Sequence, residues 1–395
     1  HKAVVFPALS LALTTAAAAG AVLHDDLARP LLRLRMPAVY VALAAAAWTG
    51  VASITSLRPE ASLGKPLTVV CFAALFCGAL LTARSRPLAA LLAVLIPAAL
   101  NAIVATLQST HIWTPWVGDP RTPERVRTTG FIGNPNDLGT YLVLPALAAL
   151  AAAIAWPKQK WLYALAVVLI IGIASAQSVT PLGAAMAGLF LMPVTSSTRR
   201  LRYGVIGVVL ALMAIAGIHP ASRLRLERLF DNFSQGRLPE MTSFRVVPAA
   251  TAIRMFLERP LVGMGPGTFS ATYMTFKEGT DEAFPQWVRQ GNESFAQVHN
   301  DHAQVLAETG LPGYLIFLAA LALLASITFR RGDVADPQAR FARIFGLPAA
   351  GAFAVLALAQ FPLQLTAPMV AVVYLSALCF AWTTPAETPY RSCGG

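Results

Sequence analysis

Long apolar runs separated by short polar gaps make up most of this chain. A helix needs roughly 20 apolar residues to cross hydrocarbon. On that measure the runs fall at about 4–23, 37–57, 67–83, 88–108, 136–156, 161–177, 181–195, 203–218, 311–329, 344–361 and 366–383, eleven predicted spans in all. Pro97, Pro145 and Pro348 lie inside runs and predict kinks in continuing helices, because neighbouring segments can satisfy the backbone groups that a proline frees. The fold class expected is all-α: a polytopic helical membrane protein whose spans lie in 1–218 and 311–395. The one large polar interruption, 219–310, is expected to be a helical loop.

Composition agrees with that pattern. Of 395 residues, 56% are apolar and 12% are charged, against about 25% charged in ordinary soluble domains. So few polar groups cannot coat a soluble globule. A soluble enzyme, a disordered tail and a disulfide-built mini-domain are excluded. The cysteines at 71, 77, 379 and 393 all lie outside the polar loop, so no disulfide or zinc framework is implied.

The net charge of +11 sits mostly in short gaps between runs, where it orients the chain rather than binding nucleic acid. Connections 24–36, 84–87, 157–160, 196–202 and 330–343 carry 14 Lys or Arg, against five in 58–66, 109–135, 178–180 and 362–365. The first set is therefore predicted to face the cytoplasm and 219–310 the outside. Residue 1 is His rather than Met and also falls outside, so twelve spans with both ends inside are expected for the complete protein.

The loop holds nine basic and ten acidic residues, a balance unlike an orientation signal, and loops of this length are usually functional or disordered. Its helical grammar favours function. One helix is predicted from an N-cap at Ser243, with an apolar stripe of Val246, Ala250, Ile253 and Leu257, ending before Pro260. Gly263, Gly265 and Gly267 then form a turn, readable as a phosphate cradle or as a return to the membrane surface. A second helix is predicted from about Ser294 to Thr309, with Phe295, Val298, His302, Val305 and Thr309 on one face. Gly310 reads as its stop, and Pro312-Gly313 as the opening of the next span.

Candidate chemistry gathers here. His299 and His302 are spaced i and i+3. Without an HExxH pattern or a third ligand nearby they do not predict a metal site, and His302 reads first as a packing residue. Arg245, Arg254, Arg259 and Arg289, with Arg121, Arg125 and Arg127 in the earlier outer connection, offer donor forks for anions. Asn134 and Asn136 flank Pro135, where they can cap the following span or bind a polar substrate. Asp281-Glu282 is the one adjacent acidic pair on the outer side. A diphosphate there would thus have to be held by arginines rather than through a divalent metal.

HNDHAQVLAETGLPG at 299–313 resembles the signature of the bacterial O-antigen ligase and polymerase superfamily, through His299, Asn300, Gly310 and Gly313. SFRVVPAATAIRMFLERPLVGMGPGTF at 243–269 resembles that family's Arg-bearing outer helix and the glycine-rich segment after it, and GFIGNPNDLGTYL at 130–142 resembles an earlier motif. The resemblance covers roughly 127–330. Where many members carry Ser-Arg after the sixth counted span, this chain has Ser178-Val179, and Arg127 or Arg289 is the expected substitute.

The resemblance implies an inner-membrane glycosyltransferase working at the periplasmic face. Its donor would be a glycan on undecaprenyl diphosphate, and its acceptor a hydroxyl of lipid A core. No cofactor is expected, because the diphosphate bond is already activated, and a monomer is expected. His299 is assigned as base or acceptor orienter, its ordinary pKa of about 6.5 suiting work near neutrality. Arg245 is assigned to the diphosphate. Arg127, Arg289, Asn300, His302 and Asn136 are assigned to substrate binding. Direct attack would invert the anomeric centre, whereas a retaining route would need a carboxylate among Glu293, Asp301 and Glu308. An O-antigen polymerase, a protein O-oligosaccharyltransferase and, in another class, a transporter are the alternatives. Few ionisable residues in the spans and no repeated half speak against the last.

Overall fold

The computed structural model describes residues 36–83, 86–114, 128–195, 227–228, 230–242, 244–287, 294–330 and 335–383. The predicted spans 4–23 and 203–218, together with Arg121, Arg125, Arg127, Ser243, Arg289 and Glu293, lie outside them. The other nine predicted runs each lie on a helix: α1 Pro37–Ile54, α2 Gly64–Thr82, α3 Pro87–Ser109, α4 Pro135–Ala155, α5 Trp161–Ser175, α6 Val179–Thr195, α9 Asp301–Ser326, α10 Pro337–Ala359 and α11 Thr366–Thr383. Among the described residues seven helices are long and apolar enough to cross a membrane, while α5 and α6 are shorter. Two further helices, α7 Val246–Glu258 and α8 Phe269–Ala283, build the region before α9, and no strand occurs among the described residues. The helices continue through Pro97, Pro145 and Pro348.

Helix α4 is the hub, buried almost all round. Its run of alanines lets α5, α6, α10 and α11 approach closely, as small residues do where apolar surroundings give helices little hydrophobic drive to associate. Gly172 of α5 faces α3 so tightly that a Cβ there would lie 2.4 Å from the Ala102 Cβ. Gly172→Leu is accordingly expected to cost about 1–3 kcal/mol through overpacking, seen as a lower melting temperature of the purified protein by tryptophan fluorescence. At the end of the bundle away from the loop region, Trp156, Phe341 and Trp382 pack edge to edge, and the Trp382 indole donates to the Ala83 carbonyl at 3.0 Å.

Three expectations about the loop region are corrected. The second loop helix begins at Asp301, not Ser294, and does not stop at Gly310: it kinks there, at φ 68° and ψ −172°, and runs on to Ser326. The stripe predicted for α7 is rotated. Val247, Thr251, Ala252 and Met255 face inward, while Ile253 and Leu257 are exposed. The short amphipathic turn has apolar residues on two faces, and pattern alone cannot say which one finds a partner. Helix α8 has no counterpart among the predicted elements, although Phe269, Thr272, Tyr273 and Thr280 recur at helical spacing along its buried face. It closes a small second core of Ala252, Met255, Met264, Phe269, Tyr273, Val298, Ala303 and Ala307.

The α9 kink organises this layer. Pro312 has no N–H to give the Glu308 carbonyl four residues earlier, and the break at Gly310 frees neighbouring groups as well. The glycine-rich segment supplies the missing partners. Gly265 N donates to Glu308 O at 3.0 Å, Met264 N to Ala307 O at 2.8 Å, and Leu311 N to Pro260 O at 2.8 Å. The Trp48 indole of α1 caps the Thr309 carbonyl at 2.8 Å. Close approach of two backbones is why Gly263 is needed: a Cβ there would lie 2.4 Å from the Glu308 carbonyl carbon.

Candidate active site

Helix α10 ends at Ala359 with unpaired carbonyls, as every helix C-terminus does. Arg245, the residue before α7, reaches across and donates from Nη1 to the Ala359 carbonyl at 2.8 Å. A cation at a helix C-terminus is favoured by the macrodipole. Two residues further along, the Phe361 ring meets the His299 imidazole edge to face, centroids 4.7 Å apart. One turn of chain, Ala359 to Phe361, thus seats both side chains that the sequence singled out for chemistry.

His299 does not lie on α9, as its spacing from His302 suggested. It precedes the helix with φ 58°, in the left-handed region, a conformation that costs on the order of 1 kcal/mol or more and collects at functional sites. Its neighbours enforce it. The Asn300 side chain caps α9 by accepting from Ala303 N at 3.0 Å. Gln304 accepts from Val298 N at 3.1 Å and donates to the Gln297 side chain at 2.6 Å. The Nδ1 atom of His299 is buried without a hydrogen-bond partner.

The electrostatics correct the expected pKa. Burial first, and then the Arg245 charge, push the imidazole down to about 4. Burial also lowers the Arg245 pKa, yet a guanidinium stays protonated. His299 is therefore neutral at physiological pH and can accept a proton or a hydrogen bond. An anion that neutralises Arg245 lifts one of the two causes, so the His299 pKa is expected to rise when diphosphate binds. A ring C–H NMR titration with and without inorganic diphosphate reads this shift; a pKa unmoved by diphosphate would contradict it.

His302 goes elsewhere. Its Nδ1 pairs with the Tyr314 hydroxyl at 3.1 Å, and its ring packs on Tyr314 and Phe317, an arrangement of packing type. Asn136 accepts from the Ser178 hydroxyl at 2.8 Å, joining α4 to the start of α6, while Asn134 caps α4. Arg259 fastens the layer to the α1–α2 turn through the Thr55 carbonyl at 3.0 Å. Among the described residues no group of three or more His, Cys, Asp or Glu could hold a metal.

Of the described carboxylates near His299, Glu308 is bound through both oxygens and Asp301 through one, its Oδ1 being buried without a partner. Asp301 is fully buried and accepts from Leu363 N at 2.8 Å. Glu308 accepts from Gly267 N at 2.8 Å, Phe269 N at 3.2 Å and Gln304 Nε2 at 3.2 Å. The glycine-rich segment does form an anion-binding nest of backbone N–H groups, and the chain's own Glu308 fills it. The turn is thereby a strap over the α9 kink, its nest occupied by a side chain of the protein itself.

Sequence reasoning missed Phe361, Gln304 and the Leu363 amide. They carry no titratable group, and only Gln304 sits in a motif already singled out. No curated protein matches the chain. A family model described as O-antigen ligase matches residues 164–318, a stretch holding Arg245, His299, Asn300, the glycine-rich segment and the α9 kink. Over residues 164–318 the chain is thus similar to the O-antigen ligase family, and the match supports a place in that superfamily of membrane enzymes.

Proposed function

We propose that this chain is an O-antigen ligase. In this reading it moves a glycan from undecaprenyl diphosphate to a sugar hydroxyl of lipid A core at the periplasmic face of the bacterial inner membrane. The observation that carries it is the meeting of Arg245 and His299 on one helix end. Leaving-group stabilisation and acceptor activation are the two demands of this reaction, and that pair supplies one group for each.

The acceptor hydroxyl hydrogen-bonds to the neutral His299, which takes its proton as the oxygen attacks the anomeric carbon. The bond from that carbon to the diphosphate oxygen breaks, and the electron pair leaves on undecaprenyl diphosphate. Arg245 already spends one N–H on Ala359, and its remaining donors face the developing charge. Diphosphate beside Arg245 offsets the charge that depresses His299, so donor binding raises the basicity of the group that accepts the proton. Attack opposite the leaving group inverts the anomeric centre. The full burial of Asp301 and the engagement of Glu308 favour this route over a retaining one.

The test is transfer by purified protein in nanodiscs, given a lipid-linked oligosaccharide and, separately, lipid A core, a free glycan chain and an acceptor protein. Product on lipid A core is the expected result. Product on glycan alone makes the chain a polymerase, and product on protein alone an O-oligosaccharyltransferase. Movement of lipid-linked glycan across proteoliposomes with no product on any acceptor overturns the proposal in favour of a transporter.

A further inference from the structure

We propose that Lys65 is a second phosphate-holding cation of this site, and that the cavity below it takes the apolar chain of the same polyprenyl diphosphate. The inference rests on the reading above for the ligand's identity, and on separate residues for its geometry. Helices α1, α2, α9 and α11 enclose a cavity of about 400 Å³ lined by residues such as Ala42, Phe72, Ile316, Leu321, Met369 and Val373. Its wall runs from Lys65 to Phe76 along α2, eleven residues, or about 16 Å at 1.5 Å per residue. An apolar slot of that length suits several isoprene units.

Its charged groups lie at one end. Lys65 and Glu308 are the two charged residues of the lining, with Gln364 beside them. Glu308 is committed to Gly267, Phe269 and Gln304. Lys65 donates to the neutral Gln364 side chain at 3.1 Å; its charge acts on Glu308 across the cavity end, yet among the described residues the two form no direct ion pair. A half-buried ammonium on a neutral acceptor, above an apolar slot, is complementary to an anionic head on an apolar tail.

The same connection joins this end to the active-site pair. Phe361 holds the His299 ring, Leu363 N binds Asp301, and Gln364 binds Lys65. Ala359, which holds Arg245, and Gln364, which holds Lys65, are five residues apart, at most about 17 Å of chain. Arg245 and Lys65 are thus anchored on one short connection.

The full chain in nanodiscs of zwitterionic lipid tests this by equilibrium binding of undecaprenyl diphosphate and of inorganic diphosphate. Lys65→Gln is expected to weaken both by about tenfold or more, the range of one charge-assisted hydrogen bond. Lys65→Arg is expected to retain most of the affinity. Ala42→Phe, which fills the cavity, is expected to weaken undecaprenyl diphosphate alone. Unchanged affinity for undecaprenyl diphosphate in either Lys65→Gln or Ala42→Phe overturns the proposal. So does equal competition by an anionic phospholipid, which would make the slot a general lipid site. Wild-type protein that binds undecaprenyl diphosphate with these variant effects, yet transfers nothing, would sink the ligase reading and leave this inference standing.

Discussion

Arg245→Ala is expected to slow the proposed glycan transfer by roughly 100- to 1,000-fold, the loss seen when one preorganised donor is removed from developing negative charge. The residue has two duties. One N–H is spent on the Ala359 carbonyl, which fixes the side chain, and the rest of the planar fork remains for diphosphate. Arg245→Lys therefore does not restore the rate: an ammonium on a flexible stem cannot hold the helix end and grip two phosphate oxygens in one fixed geometry. Arg245→Ala also removes the charge that helps depress His299, so its pKa rises from about 4 toward the ordinary value. Rate with saturating acceptor, read beside the His299 titration, separates this from general damage. A near-normal rate in Arg245→Ala at equal expression removes the residue from the mechanism.

Gly310→Ala is expected to destabilise the protein by about 3 kcal/mol or more, because two separate penalties fall on one methyl group. The backbone at φ 68° and ψ −172° lies where only glycine is comfortable, at about 1–3 kcal/mol for another residue. Sterics add to this. The new Cβ would lie 2.3 Å from the Leu261 carbonyl oxygen, and overpacking of that kind costs about 1–3 kcal/mol in its own right. Relief requires the 260–264 segment to back away from α9. That breaks the bonds from Leu311 N to Pro260 and from Met264 N to Ala307, and strips the nest from Glu308. A fall in melting temperature on the order of 10 °C is expected, with loss of activity even in the folded fraction. A variant melting with the wild type would show that the strap is not holding the kink.

The transmembrane part is legible because hydrocarbon imposes one simple rule on sequence: apolar runs of helical length. The loop region obeys no such rule. Helix α7 is readable in extent, yet Ile253 and Leu257 point to the wrong face, since the apolar residues alone do not reveal which face is covered. Gly310 looks like a stop because Gly ends many helices. Its role as a kink depends on Pro260, Met264 and Gly265, tens of residues away. Arg245 and His299 stand out by type and motif. The turn that unites them, Ala359 to Phe361, has no polar side chain but Gln360 and leaves no trace in a search for titratable groups. Lys65 is hidden as well, one more basic residue in a short connection.

The order in which the chain is made gives that turn a further meaning. Arg245 and His299 leave the ribosome well before residues 359–361, and until α10 is inserted they have nowhere to dock. Helix α4 likewise waits for α10 and α11 before it is enclosed. Competence for the proposed reaction therefore arrives abruptly and late in synthesis, so a nascent chain stalled short of α10 sits in the bilayer unable to consume its lipid carrier.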